Sequence, residues 1–425
     1  MKKIIIILLG ILFSIPDARI FGFTSQTFLL SFCLLLNLKS ISRFQIKFFI
    51  NKNIPFLFLF FYSLIIFLYL VIFDSLSSDS DYFIFSKIKE LFSMLLFSYT
   101  VFSIIFSSKN KENLVKVFLE AYFFSNLFYL LLITILPDID PVFHDSLMPL
   151  PAGVVENRIY LLGFEPSYTV PVTLILYLLY VLVSNNKWLK IAFFFLTLYV
   201  FIGGQSSTGY ILLFILVYYY YSFDFRKWNI KKKTISVVIS LVVLFSLFNV
   251  YKNLDKEYGI SKISSLSISE QSKIISYITR TELINFSIGT FFHYPLGLGI
   301  GNSVVVMGTN ISERSSEFNS LEILDSSLNA LTPKSQFMEY LISAGIVFLI
   351  MFYKYFINFF KSIELSNVNN KKAFKAIVII SLVLIIIGER IPYIFIGTLI
   401  YIILQSSEDS NPLDHENIKG IKTQY

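Results

Sequence analysis

The chain has 425 residues, of which 55% are hydrophobic, 18% aromatic and only 15% charged. This composition is more apolar than that of soluble globular proteins and predicts a protein embedded in lipid. The net charge of +7 comes from 35 Lys and Arg against 28 Asp and Glu, and it is not interpreted as nucleic-acid binding. The single cysteine, Cys33, excludes an intramolecular disulfide and a cysteine-based metal site. The three histidines lack zinc-site spacing, so we expect neither a metal nor a cofactor.

Long apolar runs recur from one end of the chain to the other. A helix that crosses about 30 Å of hydrocarbon needs about 17 to 25 apolar residues, or fewer where its ends are adapted. We therefore predict an all-α, polytopic integral membrane protein with about twelve transmembrane helices and one large external loop that itself contains helices. The predicted spans are residues 3–16, 19–37, 54–73, 88–107, 114–136, 167–184, 187–203, 208–222, 234–250, 336–358, 374–388 and 391–406.

The first span has the character of a signal peptide, since Met1-Lys-Lys precedes the apolar run Ile4 to Phe13. The sequence Ile15-Pro-Asp-Ala18 is a poor small-residue cleavage site. We therefore expect a retained first helix, and removing it would leave the other spans unchanged.

Lysine and arginine concentrate in alternate loops, for example around Lys39 to Lys52, Arg226 to Lys233 and Lys361 to Lys375. The positive-inside rule makes these loops cytoplasmic. Both termini are then cytoplasmic, and the long polar stretch between the ninth and tenth spans is external. The predicted organisation is transmembrane helices 1 to 9 in residues 1–250, a large periplasmic loop in 251–335, helices 10 to 12 in 336–406 and a cytoplasmic tail in 407–425.

Arginines on the external side oppose this charge bias, which makes them candidates for chemistry. Arg158 precedes a helix expected to begin near Pro166, and Glu165 lies at the positive end of that helix. One interpretation is structural: Glu165 caps the helix and pairs with Arg158. The other makes Arg158 an anion clamp and Glu165 an acid, a base or a group that orients a hydroxyl.

Three further external segments carry candidate residues that also have structural interpretations. Tyr277 and Arg280 lie on one face of a predicted amphipathic helix, which could either carry a site or lie on the membrane surface. The sequence His293-Tyr-Pro-Leu-Gly-Leu-Gly-Ile-Gly-Asn302 then allows close backbone approach to a ligand, although alternating glycines also occur in ordinary turns. In the short external turn Gly203 to Gly209, Ser206 or Ser207 could cap the following helix.

The order of these motifs is similar to that of a known family. An external Arg before a mid-chain helix, an Arg in the large loop before the glycine-rich run, and Pro333-Lys-Ser-Gln336 entering the next span resemble the O-antigen polymerase and O-antigen ligase superfamily. The resemblance covers the architecture of the whole chain. It implies a membrane glycosyltransferase that acts on an undecaprenyl-diphosphate-linked oligosaccharide on the periplasmic face of the bacterial inner membrane.

One departure from the family pattern concerns the subtype. The pattern often has a histidine at the position of Lys334, eleven residues before the glycine that matches Gly345, and a glutamate at the position of Glu339. The histidine is the favoured base or orienting residue of the ligases. Its replacement by lysine favours an O-antigen polymerase, with the ligase and a lipid-linked oligosaccharide flippase as alternatives.

The resemblance also implies roles for individual residues and partners. We expect a metal-independent enzyme that binds the donor diphosphate through cationic side chains, together with membrane lipid and a chain-length regulator protein as partners. The predicted catalytic residues are Arg158, Glu165, Arg280 and Lys334. The predicted substrate-binding residues are Tyr277, His293, Gly299, Asn302, Ser206 and Gln336.

Overall fold

The computed structural model of the protein describes the helical bundle and part of the segment predicted as the large loop. The described residues are 2–15, 19–20, 23–24, 43–73, 78–108, 110–136, 162, 166–204, 283–313, 335–366, 368, 370–387 and 393–409.

The described residues form helices and one minimal ladder. The ladder pairs β1 (Arg19–Ile20) with β2 (Phe23–Thr24) in antiparallel register. The first seven helices are α1 (Lys2–Ser14), α2 (Arg43–Lys52), α3 (Ile54–Ile72), α4 (Ser78–Phe106), α5 (Lys111–Ile135), α6 (Pro166–Val183) and α7 (Lys187–Gly204). The remaining helices are α8 (residues 283–293), α9 (Asn302–Glu313), α10 (Gln336–Leu365), α11 (Lys371–Ile387) and α12 (Tyr393–Asp409).

Four of the described helices contain segments long and apolar enough to cross a membrane. These segments are Ile54–Ile72, Ser80–Phe106, Lys111–Ile135 and Gln336–Leu365. Large apolar side chains on α3 are exposed, including Ile65 at 66% and Ile72 at 75%, as expected where lipid rather than protein is the neighbour. The predicted all-α, polytopic membrane fold is therefore confirmed.

The predicted spans coincide with helices wherever the structure describes them, except in the run 19–37, whose four described residues, 19–20 and 23–24, form the β1–β2 ladder. The runs at 208–222 and 234–250, and nearly all of 19–37, lie outside the described residues. The run predicted to begin at residue 88 corresponds to α4, which begins ten residues earlier, at Ser78. Lys87 is consequently inside this helix instead of at its edge.

Aromatic side chains fill the centre of the bundle where α1, α4, α5 and α12 meet. The ring of Phe395 lies 4.7 Å from that of Phe13, 5.0 Å from that of Phe97 and 5.0 Å from that of Phe118. Gly10 permits α1 to approach α5, because a Cβ at this position would lie 2.7 Å from the carbonyl oxygen of Phe118. The first helix is thus packed into the core of the bundle.

The tenth helix is interrupted inside the bundle. Ser335 caps it, with its Oγ accepting a hydrogen bond from the Met338 amide at 3.3 Å. The helical path breaks at Gly345, where φ is 64° and ψ is −154°. These angles are open in practice only to glycine. The carbonyl groups before the break are therefore free to accept hydrogen bonds from another segment.

Candidate functional site

The glycine-rich sequence forms a turn between α8 and α9, here called the glycine turn (residues 294–301). Gly297, Gly299 and Gly301 have φ values of 88°, 83° and 82°, in the left-handed region that favours glycine. The alternation of glycines thus satisfies three successive backbone requirements. The chain can therefore reverse between two helices, and without Cβ atoms at these positions another backbone can approach it closely.

The neighbour that uses this close contact is the break in α10. The amides of Leu298 and Gly299 donate to the carbonyls of Ile342 and Ser343 at 3.1 and 2.7 Å. The amide of Ile346 donates back to the carbonyl of Pro295 at 2.9 Å. The glycine turn and the interrupted helix therefore satisfy each other's backbone groups, which have no water to bind inside a membrane.

Two glycines make this approach possible. A Cβ on Gly297 would lie 2.5 Å from the carbonyl oxygen of Ser343, and one on Gly345 would collide with the carbonyl oxygen of Pro295. Cβ atoms essentially never approach other atoms this closely, so neither position accepts a larger residue without movement of the backbone.

Helices α3 and α4 hold the glycine turn from the other side. The Tyr62 hydroxyl donates to the carbonyl of Gly297 at 3.1 Å, and the Ile300 amide donates to Ser63 Oγ at 2.8 Å. Gly301 lies against Ile84, whose Cα would be 2.8 Å from an added Cβ. Since Ser63 lies at the middle of α3 (Ile54–Ile72), the buried part of the glycine turn, residues 299–301, lies within the helical bundle.

Beside the glycine turn lies a set of buried polar side chains, here called the polar cluster (Lys87, Ser303, Glu339 and Ser343). Lys87 Nζ lies 3.4 Å from Glu339 Oε1, and each of these side chains is only 10% exposed. Ser343 Oγ donates to the Glu339 carbonyl at 2.5 Å and lies 3.2 Å from Ser303 Oγ. The cluster joins α4, α9 and α10 in one polar network.

The four predicted substrate-binding residues that the structure describes lie in three places. Gly299 and Asn302 belong to the buried region around the glycine turn, where Asn302 Nδ2 donates to the Leu298 carbonyl at 3.0 Å. His293 is exposed at the end of α8, with its Nδ1 2.9 Å from the Gly289 carbonyl oxygen. Gln336 begins α10, and its Nε2 donates to Tyr340 Oη at 2.9 Å.

These contacts give Gly299 a structural partner. Its amide, expected from the sequence to approach a ligand, donates to the Ser343 carbonyl. The remaining predicted site residues lie outside the described residues, and their roles stay predictions: Arg158, Glu165, Arg280, Lys334, Tyr277 and Ser206.

Sequence reasoning missed most of the polar cluster. A lysine inside an apolar helix is a recognisable signal, because charged side chains are rare in membrane spans and need a partner there. Lys87 escaped notice because the predicted span began at the next residue. Ser303 and Ser343 carry no comparable signal, since serine is common in membrane helices.

Comparison with known proteins adds one finding. Residues 192–353 match the family described as O-Antigen ligase, a region that contains α8, the glycine turn, α9 and the break in α10. No curated protein matches the chain. The family match supports the O-antigen ligase and polymerase superfamily, whose members are membrane glycosyltransferase-like enzymes acting on lipid-linked oligosaccharides. The match supports a role in polysaccharide assembly and does not distinguish a polymerase from a ligase.

Proposed function

We propose that this protein polymerises undecaprenyl-diphosphate-linked oligosaccharide repeat units into surface polysaccharide on the periplasmic face of the inner membrane. The observation that carries the proposal is the family match over residues 192–353. The matched region includes the glycine turn and the interrupted helix α10, which are joined by backbone hydrogen bonds. In this proposal both termini are cytoplasmic and a chain-length regulator protein is a partner.

The proposed reaction transfers a growing glycan from one lipid carrier to another repeat unit. A sugar hydroxyl of the acceptor attacks the anomeric carbon of the donor. The new glycosidic bond forms as the bond between that carbon and the diphosphate oxygen breaks, and undecaprenyl diphosphate leaves with the bonding electron pair. The hydroxyl proton passes to a base, for which Glu165 is the proposed carboxylate.

Negative charge grows on the leaving diphosphate, and cationic side chains can stabilise it without a metal. Arg158, Arg280 and Lys334 are the proposed clamp, since guanidinium groups bind phosphate oxygens in a bidentate manner. Removing one preorganised donor of this kind typically costs about 2.7–4 kcal/mol of transition-state stabilisation. Tyr277, Ser206, His293 and Gln336 are the proposed contacts to the glycan.

Polymerase is preferred to ligase because of Lys334, which stands where the superfamily pattern often has the histidine associated with ligases. Ligase remains the second candidate, favoured by the description of the matching family. A flippase would concentrate its charges in a cavity at the membrane midplane, whereas the arginines singled out in the sequence lie in segments predicted to be external.

Deletion of the gene tests the proposal through the electrophoretic pattern of the surface polysaccharide. A polymerase mutant is expected to carry single repeat units on its lipid core, because export and ligation continue without chain growth. Uncapped core with accumulated lipid-linked polymer would identify a ligase instead. Uncapped core without periplasmic intermediates would identify a flippase.

A further inference from the structure

An ion pair is buried between two helices that contain segments long and apolar enough to cross a membrane. Lys87 belongs to α4 and Glu339 to the first turns of α10, with 3.4 Å between Nζ and Oε1. The ammonium group also lies 5.7 Å from the centre of the Phe83 ring. Each side chain is only 10% exposed, so the pair lies inside the bundle.

A buried ion pair adds little to the stability of a protein. Removing two charges from water costs much of what their attraction returns, and an apolar pair of similar volume often stabilises a protein at least as well. Ionisable side chains inside membrane segments are accordingly rare and associated with function. The pair differs from apolar packing in specificity, because a charged contact fixes which atoms of two helices meet.

The position of Glu339 shows what the pair can fix. Glu339 lies four residues after the cap residue Ser335, which Lys334 directly precedes in the sequence. In the other direction its carbonyl accepts the Ser343 hydroxyl at 2.5 Å, and the Ser343 carbonyl accepts the Gly299 amide at 2.7 Å. Glu339 therefore connects the start of α10 with the glycine turn.

The cap itself is attached to a third helix. Ser335 is fully buried, and its Oγ donates to the Ile386 carbonyl of α11 at 2.5 Å. The start of α10 is thus bound to α11 by its cap and to α4 by its carboxylate. Because these two attachments are to different helices, they restrict both the axial position and the rotation of the start of α10.

We propose that Lys87 and Glu339 are positioning residues for glycosyl transfer, which hold the first turn of α10, and through it the glycine turn, in the arrangement that transfer from the lipid-linked diphosphate requires. The inference rests on the proposed function. Neither residue contacts substrate in this role. Their loss should reduce the rate of the chemical step more than the binding of the lipid-linked substrate, because a displacement of about 1 Å can cost about 100-fold in rate.

The central experiment replaces the pair by apolar residues of similar size, Lys87→Met with Glu339→Leu. Purified full-length proteins are assayed with lipid-linked repeat units for kcat and KM, and their thermal unfolding in detergent is recorded. We expect an unfolding midpoint at least as high as that of the unmodified protein. We expect kcat to fall about 100-fold with KM changed by less than about threefold.

The ion pair of Lys375 with Glu364 provides the matched control. It joins α11 to the opposite end of α10, and the Glu364 side chain is 58% exposed. The change Lys375→Met with Glu364→Leu should leave kcat and KM unaltered. The exchanged pair, Lys87→Glu with Glu339→Lys, should recover a large part of the lost kcat, because it restores the contact with reversed charges.

Two results would overturn the inference. One is unchanged kcat in the folded apolar double variant, which would make the pair mere packing. The other is an exchanged pair that folds but is no more active than the apolar variant. If these variants do not accumulate, Lys87→Arg and Glu339→Asp keep the charges and alter the reach of the pair. A lower kcat with unchanged KM then supports positioning, and unchanged kinetics contradict it.

The unmodified protein separates this test from that of the proposed function. If it transfers no sugar between lipid-linked units, the proposed function fails. If it is active and the apolar double variant is equally active, only the positioning role fails.

Discussion

Gly345 and Gly297 are the residues on which the contact between the glycine turn and α10 depends most directly. Both have positive φ, and each faces backbone atoms of the other segment where a Cβ would stand. At Gly345 the combination of φ 64° with ψ −154° costs other residues about 1–3 kcal/mol from backbone strain alone. The collision with the Pro295 carbonyl adds to this cost.

Gly345→Ala should therefore prevent normal folding of the bundle and with it all activity. Gly289→Ala is the matched control, because Gly289 lies in helical residues 283–293 and a Cβ there meets nothing within 4 Å. The control should be neutral or stabilising by about 0.5–1 kcal/mol, the usual gain from alanine in a helix. Yield of folded protein and thermal unfolding in detergent measure both effects. A Gly345→Ala protein with an unchanged unfolding midpoint would contradict the described contact.

At the scale of elements, α8, the glycine turn and α9 form a helical hairpin that enters the bundle from the segment predicted as an external loop. Its tip is satisfied by three helices: α10 through backbone hydrogen bonds, α3 through Tyr62 and Ser63, and α4 through contact with Ile84. A non-helical backbone is tolerated inside a membrane only where protein or trapped water satisfies it. The tip of the hairpin is thus part of the helical bundle.

Ser63→Ala tests how firmly α3 holds this hairpin. The change removes the acceptor of the buried Ile300 amide and should destabilise the protein by about 1–3 kcal/mol. Ser98→Ala is the control: Ser98 is equally buried, but its hydroxyl donates only to the Met94 carbonyl of its own helix. We expect less than about 0.5 kcal/mol from that change. Equal unfolding midpoints for the two variants would show that the Ser63 contact contributes nothing.

At the scale of the whole molecule, the parts of the fold that follow from composition and local pattern were predictable. The apolar runs indicated the helices because a span has to be apolar along its whole length. The glycines of the 297–301 segment were predicted to allow close backbone approach to a ligand; in the structure they have positive φ values, and the Gly299 amide donates to a carbonyl of α10. What they bind was not predictable, since the Ile342 and Ser343 carbonyls become available only through the break at Gly345. Nor does local pattern reveal that Lys87 meets Glu339, two residues far apart in the chain.

Part of the candidate site stays a prediction, because local sequence patterns do not reveal which distant residues come together. The arginines were singled out because they oppose the charge bias of an external face, a signal that identifies residues but not their mutual distances. Lys334 favoured a polymerase over a ligase only through the family resemblance. The described residues add the buried framework that adjoins the start of α10.

Reconstitution of the purified protein with undecaprenyl-diphosphate-linked repeat units as its only saccharide substrate tests the proposed polymerase activity most directly. The measured quantity is the length distribution of the lipid-linked products on a gel. Polymerase activity predicts a ladder of two or more repeat units and release of undecaprenyl diphosphate in equal number to the bonds formed. Unchanged single units, or transfer only after lipid A-core is added as acceptor, would contradict it.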